Sequence, residues 1–281
     1  MNEKSSALAA LVGKLPDPDE QGMLSKIDKD VVDNVIAGIY KGGRDSIIGL
    51  IDMLVEPGKG DDVKPRYALH GLAVYVCKLE DKSRRQEFAG ILASQLGGGR
   101  PKAVQGYIIR QLQVAGGKEA APQIGKLLCD EELCEYAASA LVAIGDGAGE
   151  QLRVALSEAT GKCRLTIVQN LGVVRDAKAV ASLKQIVSDT DRNTRLAALW
   201  ALANIGDAGS VDILMKAADT KDAYERIKAT QACLLLAERL LAANFKAEAV
   251  RIYTYLRDSR TEASERYVRD AVARALAAAE K

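Results

Sequence analysis

Few residues of this chain could do chemistry, and their spacing argues against most of it. One histidine, His70, serves 281 residues. It stands where later helices carry Ile109, Ala138, Val168 and Leu199, which predicts a partly buried structural imidazole rather than a catalyst or ligand. A Ser-His-Asp or Cys-His nucleophilic site would need that ring, and no Ser or Cys stands beside it in a recognisable motif. Five cysteines, Cys77, Cys129, Cys134, Cys163 and Cys233, lie mostly among apolar neighbours without C-x-x-C spacing, which predicts buried reduced thiols. Cys129 and Cys134 are close enough in sequence for a bridge, but two thiols without histidine make a poor metal site. "QLGGGRPK" (95–102) sets glycines before a helix start and could hold an anion. No strand precedes it and no G-K-[ST] follows, so a long inter-helix loop with Pro101 in the first helical turn is expected. No catalytic residue, metal ligand or cofactor is therefore predicted.

Composition narrows the partners. The chain has 39 basic against 38 acidic side chains and is 48% apolar, as a soluble globular protein is. That balance argues against nucleic acid and anionic membranes, which need clustered Lys and Arg. No run approaches 18 uncharged apolar residues, and the opening "MNEKSSALAALVGKLPDPDE" lacks the apolar stretch of a secretory signal. A cytoplasmic protein is expected, or an exported one whose signal has been removed.

The elements that position any site come from self-similarity. Within "TRLAALWALANIGDAGSVDIL" (194–214), the motif "LANIGD" ending at Asp207 follows "LGVVRD" ending at Asp176 and "LVAIGD" ending at Asp146, at steps of 31 and 30. "LQVAGG", ending at Gly117, fits one step earlier. Twelve residues before each motif's end lies a slot held by Gln105, Cys134, Arg164 and Arg195, and the same pattern places Arg66, Arg226 and Arg269 in equivalent slots. Apolar residues follow each slot at helical spacing, for Arg195 at Ala198, Leu199, Leu202 and Ile205. Four residues before several slots stands an acid: Asp62, Asp130, Asp191, Asp222 or Glu265. Such an acid can cap the helix and pair with an Arg one turn on, giving expected pairs Asp62–Arg66, Asp191–Arg195, Asp222–Arg226 and Glu265–Arg269. The Gly or Asp closing the motif stops the helix, and a second helix such as 208–219 follows.

"DRNTRLAALWALANIGDAGSVDILMKAA" (191–218) resembles the HEAT-like repeats of phycobilin lyases in its Asp191/Arg195 spacing, its Ala-Leu run and its Gly206-Asp207 turn. The fold expected is all-α: one right-handed α-solenoid over 1–281 of about seven HEAT-like helix pairs, with no sheet. Residues 1–61 are atypical N-terminal helices, 62–219 the HEAT-like repeats, and 220–281 C-terminal repeats and a cap. The resemblance implies a curved stack with the second helix of each pair on the concave side, and no chemistry by itself. Gln105 and Cys134 depart from Arg in their slots, so an Asp-Arg ladder is not expected to continue there.

Counting from the slots shows which positions are not core. Offset +5 holds Gly71, Arg110, Ser139, Gln169, Trp200, Gln231 and Arg274; offset +2, one turn earlier, holds Ala68, Tyr107, Tyr136, Thr166, Ala197, Lys228 and Ala271. The two rows should form a solvent-facing stripe along the concave surface. The partner-binding set expected on it is Tyr107, Arg110, Tyr136, Ser139, Gln169, Trp200, Lys228, Gln231 and Arg274. Aromatic and Arg side chains in such a surface anchor protein interfaces. Trp200, the sole tryptophan, can serve there or lean against a neighbouring helix. Its truncation should cost under roughly 1 kcal/mol if exposed and about 3–5 kcal/mol if core. A non-catalytic scaffold holding a protein or peptide is the expected function. The alternative is a HEAT-like enzyme of the lyase or DNA-glycosylase type, but the paired His-Glu motifs of HEAT-repeat hydroxylases are absent, and the aromatic, acid-bearing basic cleft of the glycosylases fits poorly with 4% aromatics and balanced charge.

Overall fold

The computed structural model describes residues 3–19 and 28–279, and among them every regular element is helical. The chain divides into two compact units, Met1–Gln151 and Leu152–Lys281. The first holds α1 (Glu3–Gly13), α2 (Lys29–Lys41), α3 (Gly43–Asp52), α4 (Val63–Lys78), α5 (Lys82–Ala93), α6 (Lys102–Ala115), α7 (Ala121–Gly125) and α8 (Cys134–Ile144). The border falls within α9 (Ala148–Leu156). The second unit continues with α10 (Gly161–Val173), α11 (Val180–Ile186), α12 (Arg192–Ile205), α13 (Val211–Ala217), α14 (Ala223–Ala242), α15 (Lys246–Ser259) and α16 (Arg266–Ala279).

The slot helices begin where the acids predict. Helices α4, α12 and α14 each start one residue after Asp62, Asp191 and Asp222 respectively. The Asp191 carboxylate accepts the Thr194 amide at 2.8 Å and Asp222 accepts the Glu225 amide at 2.9 Å, satisfying donors that the first helical turn leaves open. At the other end, Gly145 and Gly206 turn the chain with φ of +75° and +82°, the left-handed region that glycine enters without a Cβ clash. Arg175 takes the equivalent place with φ +52°.

The expected acid–Arg pairs need correction. Asp62–Arg66 forms, at 2.7 Å. Asp191–Arg195, Asp222–Arg226 and Glu265–Arg269 are not ion pairs among the described residues. The Asp191 and Asp222 carboxylates are occupied by the amides of their own helices, and a guanidinium reaches further than one turn. Arg164 binds Asp189 at 3.0 Å, Arg195 binds Glu225, and Arg226 binds Glu265 at 2.7 Å, each acid belonging to the next unit along. The same side chains donate backwards to carbonyls of the preceding linker: Arg66 to Val55, Arg164 to Leu156, Arg195 to Thr190 and Arg226 to Ala218. Arg269 donates to the carbonyls of Arg260 and Glu262. Gln105, the odd occupant, does the same with an amide, donating to the Arg100 carbonyl at 2.8 Å and accepting from the Gly97 amide at 2.9 Å. "QLGGGRPK" is thus a loop stapled to α6, and Pro101 is that helix's N-cap rather than part of its first turn. A second inter-unit tie starts three residues before the slot, where Lys102 binds Asp130 and Arg192 binds Asp222.

In the second unit α10 packs directly on α12 and α12 on α14, while α11 lies against α12 and α13 against α14. The slot helices, rather than the second helices, therefore make the closely packed row of this unit. Burial along them follows helical periodicity, with Ala198, Leu199 and Leu202 of α12 inside together with Cys233, Leu236 and Leu240 of α14.

Two smaller expectations change. Cys134, Cys163 and Cys233 are buried, but Cys77 and Cys129 are exposed, and none of the five is in a disulfide. Burial pushes the Cys233 thiol up to about 12, which leaves it inert at neutral pH. His70 is exposed rather than partly buried, with its Nδ1 3.0 Å from Oε1 of the buried Gln111, so the ring lies at the rim while the amide occupies the interior.

These ties give a pH dependence. The hydrogen-bonded Arg226 guanidinium holds the Glu265 carboxyl below the ordinary glutamate value of 4.5, against the opposing effect of its partial burial. A lowered folded-state pKa stabilises above the unfolded-state value, and that contribution disappears as pH falls through the folded-state value. Urea midpoints measured from pH 7 to 3 should therefore fall below about pH 4.5, and Glu265→Gln should start lower at pH 7 and show a shallower acid decline. Parallel curves for the two proteins would refute the assignment.

Candidate functional site

Offset +5 comes to the surface as counted. Arg110, Ser139, Gln169, Trp200, Gln231 and Arg274 are exposed. Offset +2 does so in part: Tyr136 and Lys228 are exposed, whereas Ala68, Thr166 and Ala197 are buried because the small residues of this row sit where adjacent slot helices touch. Within each unit the exposed residues of the stripe thus come mainly from the +5 row.

In the second unit the row opens into a groove of about 520 Å³. Gln169 comes from α10, Trp200 from α12, and Lys228 and Gln231 from α14, so four of the predicted residues meet. Leu165, Leu196, Ala197, Ala232 and Leu235 supply the apolar part of its lining. Trp200 is 38% exposed. Its indole also packs on α10, for a Cβ built on Gly172 would stand 2.7 Å from Trp200 Cζ3 and 2.8 Å from Ala201 Cα. The tryptophan is both wall and surface. Trp200→Ala should accordingly cost about 1–2 kcal/mol in urea unfolding, between the values for an exposed and a core aromatic, and a loss of 3 kcal/mol or more would remove it from the groove surface.

Besides Leu165, Leu196, Ala232 and Leu235, two polar or aromatic lining residues lie outside the two rows. Asn193 and Tyr224 lie two residues before their slots, a row not singled out, although Tyr224 precedes Lys228 by four and so shares its face of α14. Extending the face one turn toward the N-terminus would have found it. The Lys228 ammonium lies 5.7 Å from the centre of the Tyr224 ring, and the Arg192 guanidinium approaches the same ring at 6.0 Å. Arg192 is already paired with Asp222 and Glu225, and Arg195 with Glu225. Lys228 has no carboxylate partner among the described residues. No Asp, Glu, His or Cys lines the groove.

The first unit places its predicted residues differently. Tyr107 donates its hydroxyl to the Arg66 carbonyl at 2.6 Å beneath the Arg66 guanidinium, 4.6 Å from the ring centre, and burial pushes that phenol up to about 12. Tyr107 thus joins α6 to α4 and is only half exposed. Tyr136 remains at the surface with the Arg110 guanidinium 5.1 Å from its ring centre, and Ser139 follows it on α8. Arg274 stands exposed on α16, outside the groove.

Among the described residues no group of three or more His, Cys, Asp or Glu is placed to hold a metal ion, and no helix is long and apolar enough to cross a membrane. Residues 149–234 match the HEAT repeats family, and this segment contains the motifs ending at Asp176 and Asp207. No curated protein matches the chain. Among solved structures, one similar chain comes from the complex of CpcE and CpcF of phycocyanin lyase from Nostoc sp. PCC7120, at 17% identity over 80% of this chain and 94% of that one, with a TM-score of 0.39.

Proposed function

We propose that this protein is a non-catalytic scaffold that holds a protein or peptide partner on the exposed face of its slot helices, in the groove around Trp200. The observation that carries this reading is the groove's lining: an aromatic wall, an apolar set of leucines and alanines, and a rim of Gln169, Gln231 and Asn193 amides, with no carboxylate, imidazole or thiol to serve as acid, base or nucleophile. Half-exposed aromatics beside adaptable amides are what peptide anchors use. The glycosylase alternative requires a catalytic acid in the cleft, which this lining does not offer.

The sole tryptophan makes the test direct, because all indole emission comes from the groove wall. Peptides selected from a random display library on the full chain should shift or quench Trp200 emission saturably, and should lose at least roughly tenfold in affinity against Trp200→Ala, the cost of a truncated anchor. Selected peptides that bind the variant equally, without touching the emission, would overturn the proposal.

A further inference from the structure

From the charges around the groove we infer that its occupant is an extended peptide carrying an apolar or aromatic anchor next to an acidic residue. This rests on the scaffold reading and specifies what the scaffold takes. Lys228 is the sole charged residue of the lining. The acids that could neutralise it are engaged: Glu225 by Arg192 and Arg195, and Asp222 by Arg192 and by the amide of Glu225. Lys228 instead rests over the Tyr224 ring, where a half-exposed aromatic face holds an ammonium without neutralising it.

The lining is also ordered along the helix. Tyr224, Lys228, Gln231 and Leu235 succeed one another at steps of four, three and four residues, so they follow one face of α14. Its N-terminal half offers a cation and, across the groove on α12, the Asn193 amide. Its C-terminal half offers Leu235 and Ala232. A carboxylate seated at the first half and a large apolar side chain at the second would match this order. A basic segment would place like charge against Lys228.

Two parallel selections of random twelve-residue peptides, on the full-length protein and on Lys228→Glu, test this. Lys228 is exposed, so the variant should fold; an unchanged urea midpoint checks that. On the wild type, peptides that move Trp200 emission should be enriched in Asp or Glu beside an apolar anchor. On Lys228→Glu the enrichment should turn to Lys or Arg. A synthetic acidic peptide should bind the wild type at least roughly tenfold more tightly than its Asp-to-Lys counterpart, with the ratio shrinking between low and high salt. Trp200-dependent peptides that are neutral or basic on the wild type would overturn this inference and leave the scaffold reading standing. An absence of any Trp200-dependent peptide would remove both.

Discussion

Arg260→Ala should be the most damaging single substitution in the second unit, lowering unfolding free energy by about 3–4 kcal/mol. Its side chain is wholly inaccessible to solvent. The guanidinium donates to the Ala218 carbonyl at 2.8 Å, to Thr230 Oγ1 at 3.0 Å and to Ser259 Oγ at 3.1 Å, lies over the Tyr255 ring at 5.5 Å, and stands 3.8 Å from the Glu265 carboxylate. One side chain thus links the linker before α14, α14 itself, α15 and the entry to α16. Alanine leaves a cavity as well as acceptors without donors. In either variant two acceptors keep a second partner, Ala218 and Glu265 both holding Arg226, but Arg260→Met also keeps most of the volume. The methionine variant should lose roughly half as much. Urea unfolding with matched m-values distinguishes the cases, and equal losses would mean that hydrogen bonding rather than packing sets the cost.

Gly172→Ala should lose about 2 kcal/mol, although alanine is the better helix former by about 1 kcal/mol. A Cβ at this buried position would stand 2.8 Å from Ala201 Cα and 2.9 Å from Ala201 Cβ. Backbone cannot rotate away, so α10 and α12 must separate. Asn204 also donates to the Gly172 carbonyl at 2.9 Å and in turn accepts from Arg239 at 2.9 Å, so the separation strains a link reaching α14. The same displacement moves the indole wall, and a shift of Trp200 emission should accompany the lost stability. Ala201→Gly in the same chain removes the Cβ contact and should restore part of both. A stabilised Gly172→Ala protein would show that the crossing is looser than these distances.

Much of the helix framework can be read directly from residue spacing, because the marks that set it are local. Asp191 and Asp222 cap the helices that they precede, Gly206 ends the one that it follows, and the 100° step of a helix brings every non-glycine residue of the +5 row to the surface. Pairing was less legible. An Asp four residues before an Arg looks like a one-turn ion pair, yet Arg195 and Arg226 are long enough to reach the next unit, and nothing local says that they will. Tyr107 and Tyr136 share a row and a residue type, and only the Arg66 carbonyl above Tyr107 turns one of them to structural use. Arg260 is buried within "RDSRTEAS", where nothing local marks it, because burial of a charge depends on neighbours distant in the chain. The groove was half visible: Gln169, Trp200, Lys228 and Gln231 came from counting, while Tyr224 lay one turn beyond the rows considered.

In the second unit Arg164, Arg195 and Arg226 each grip a carbonyl behind and one acid ahead, so their interactions are those of links in a chain. Stress applied at one junction is handed to a single neighbour on each side. Such a stack is held joint by joint. It should tolerate gain or loss of whole helix pairs better than damage within one, and it can yield at a single joint while the pairs on either side stay wound.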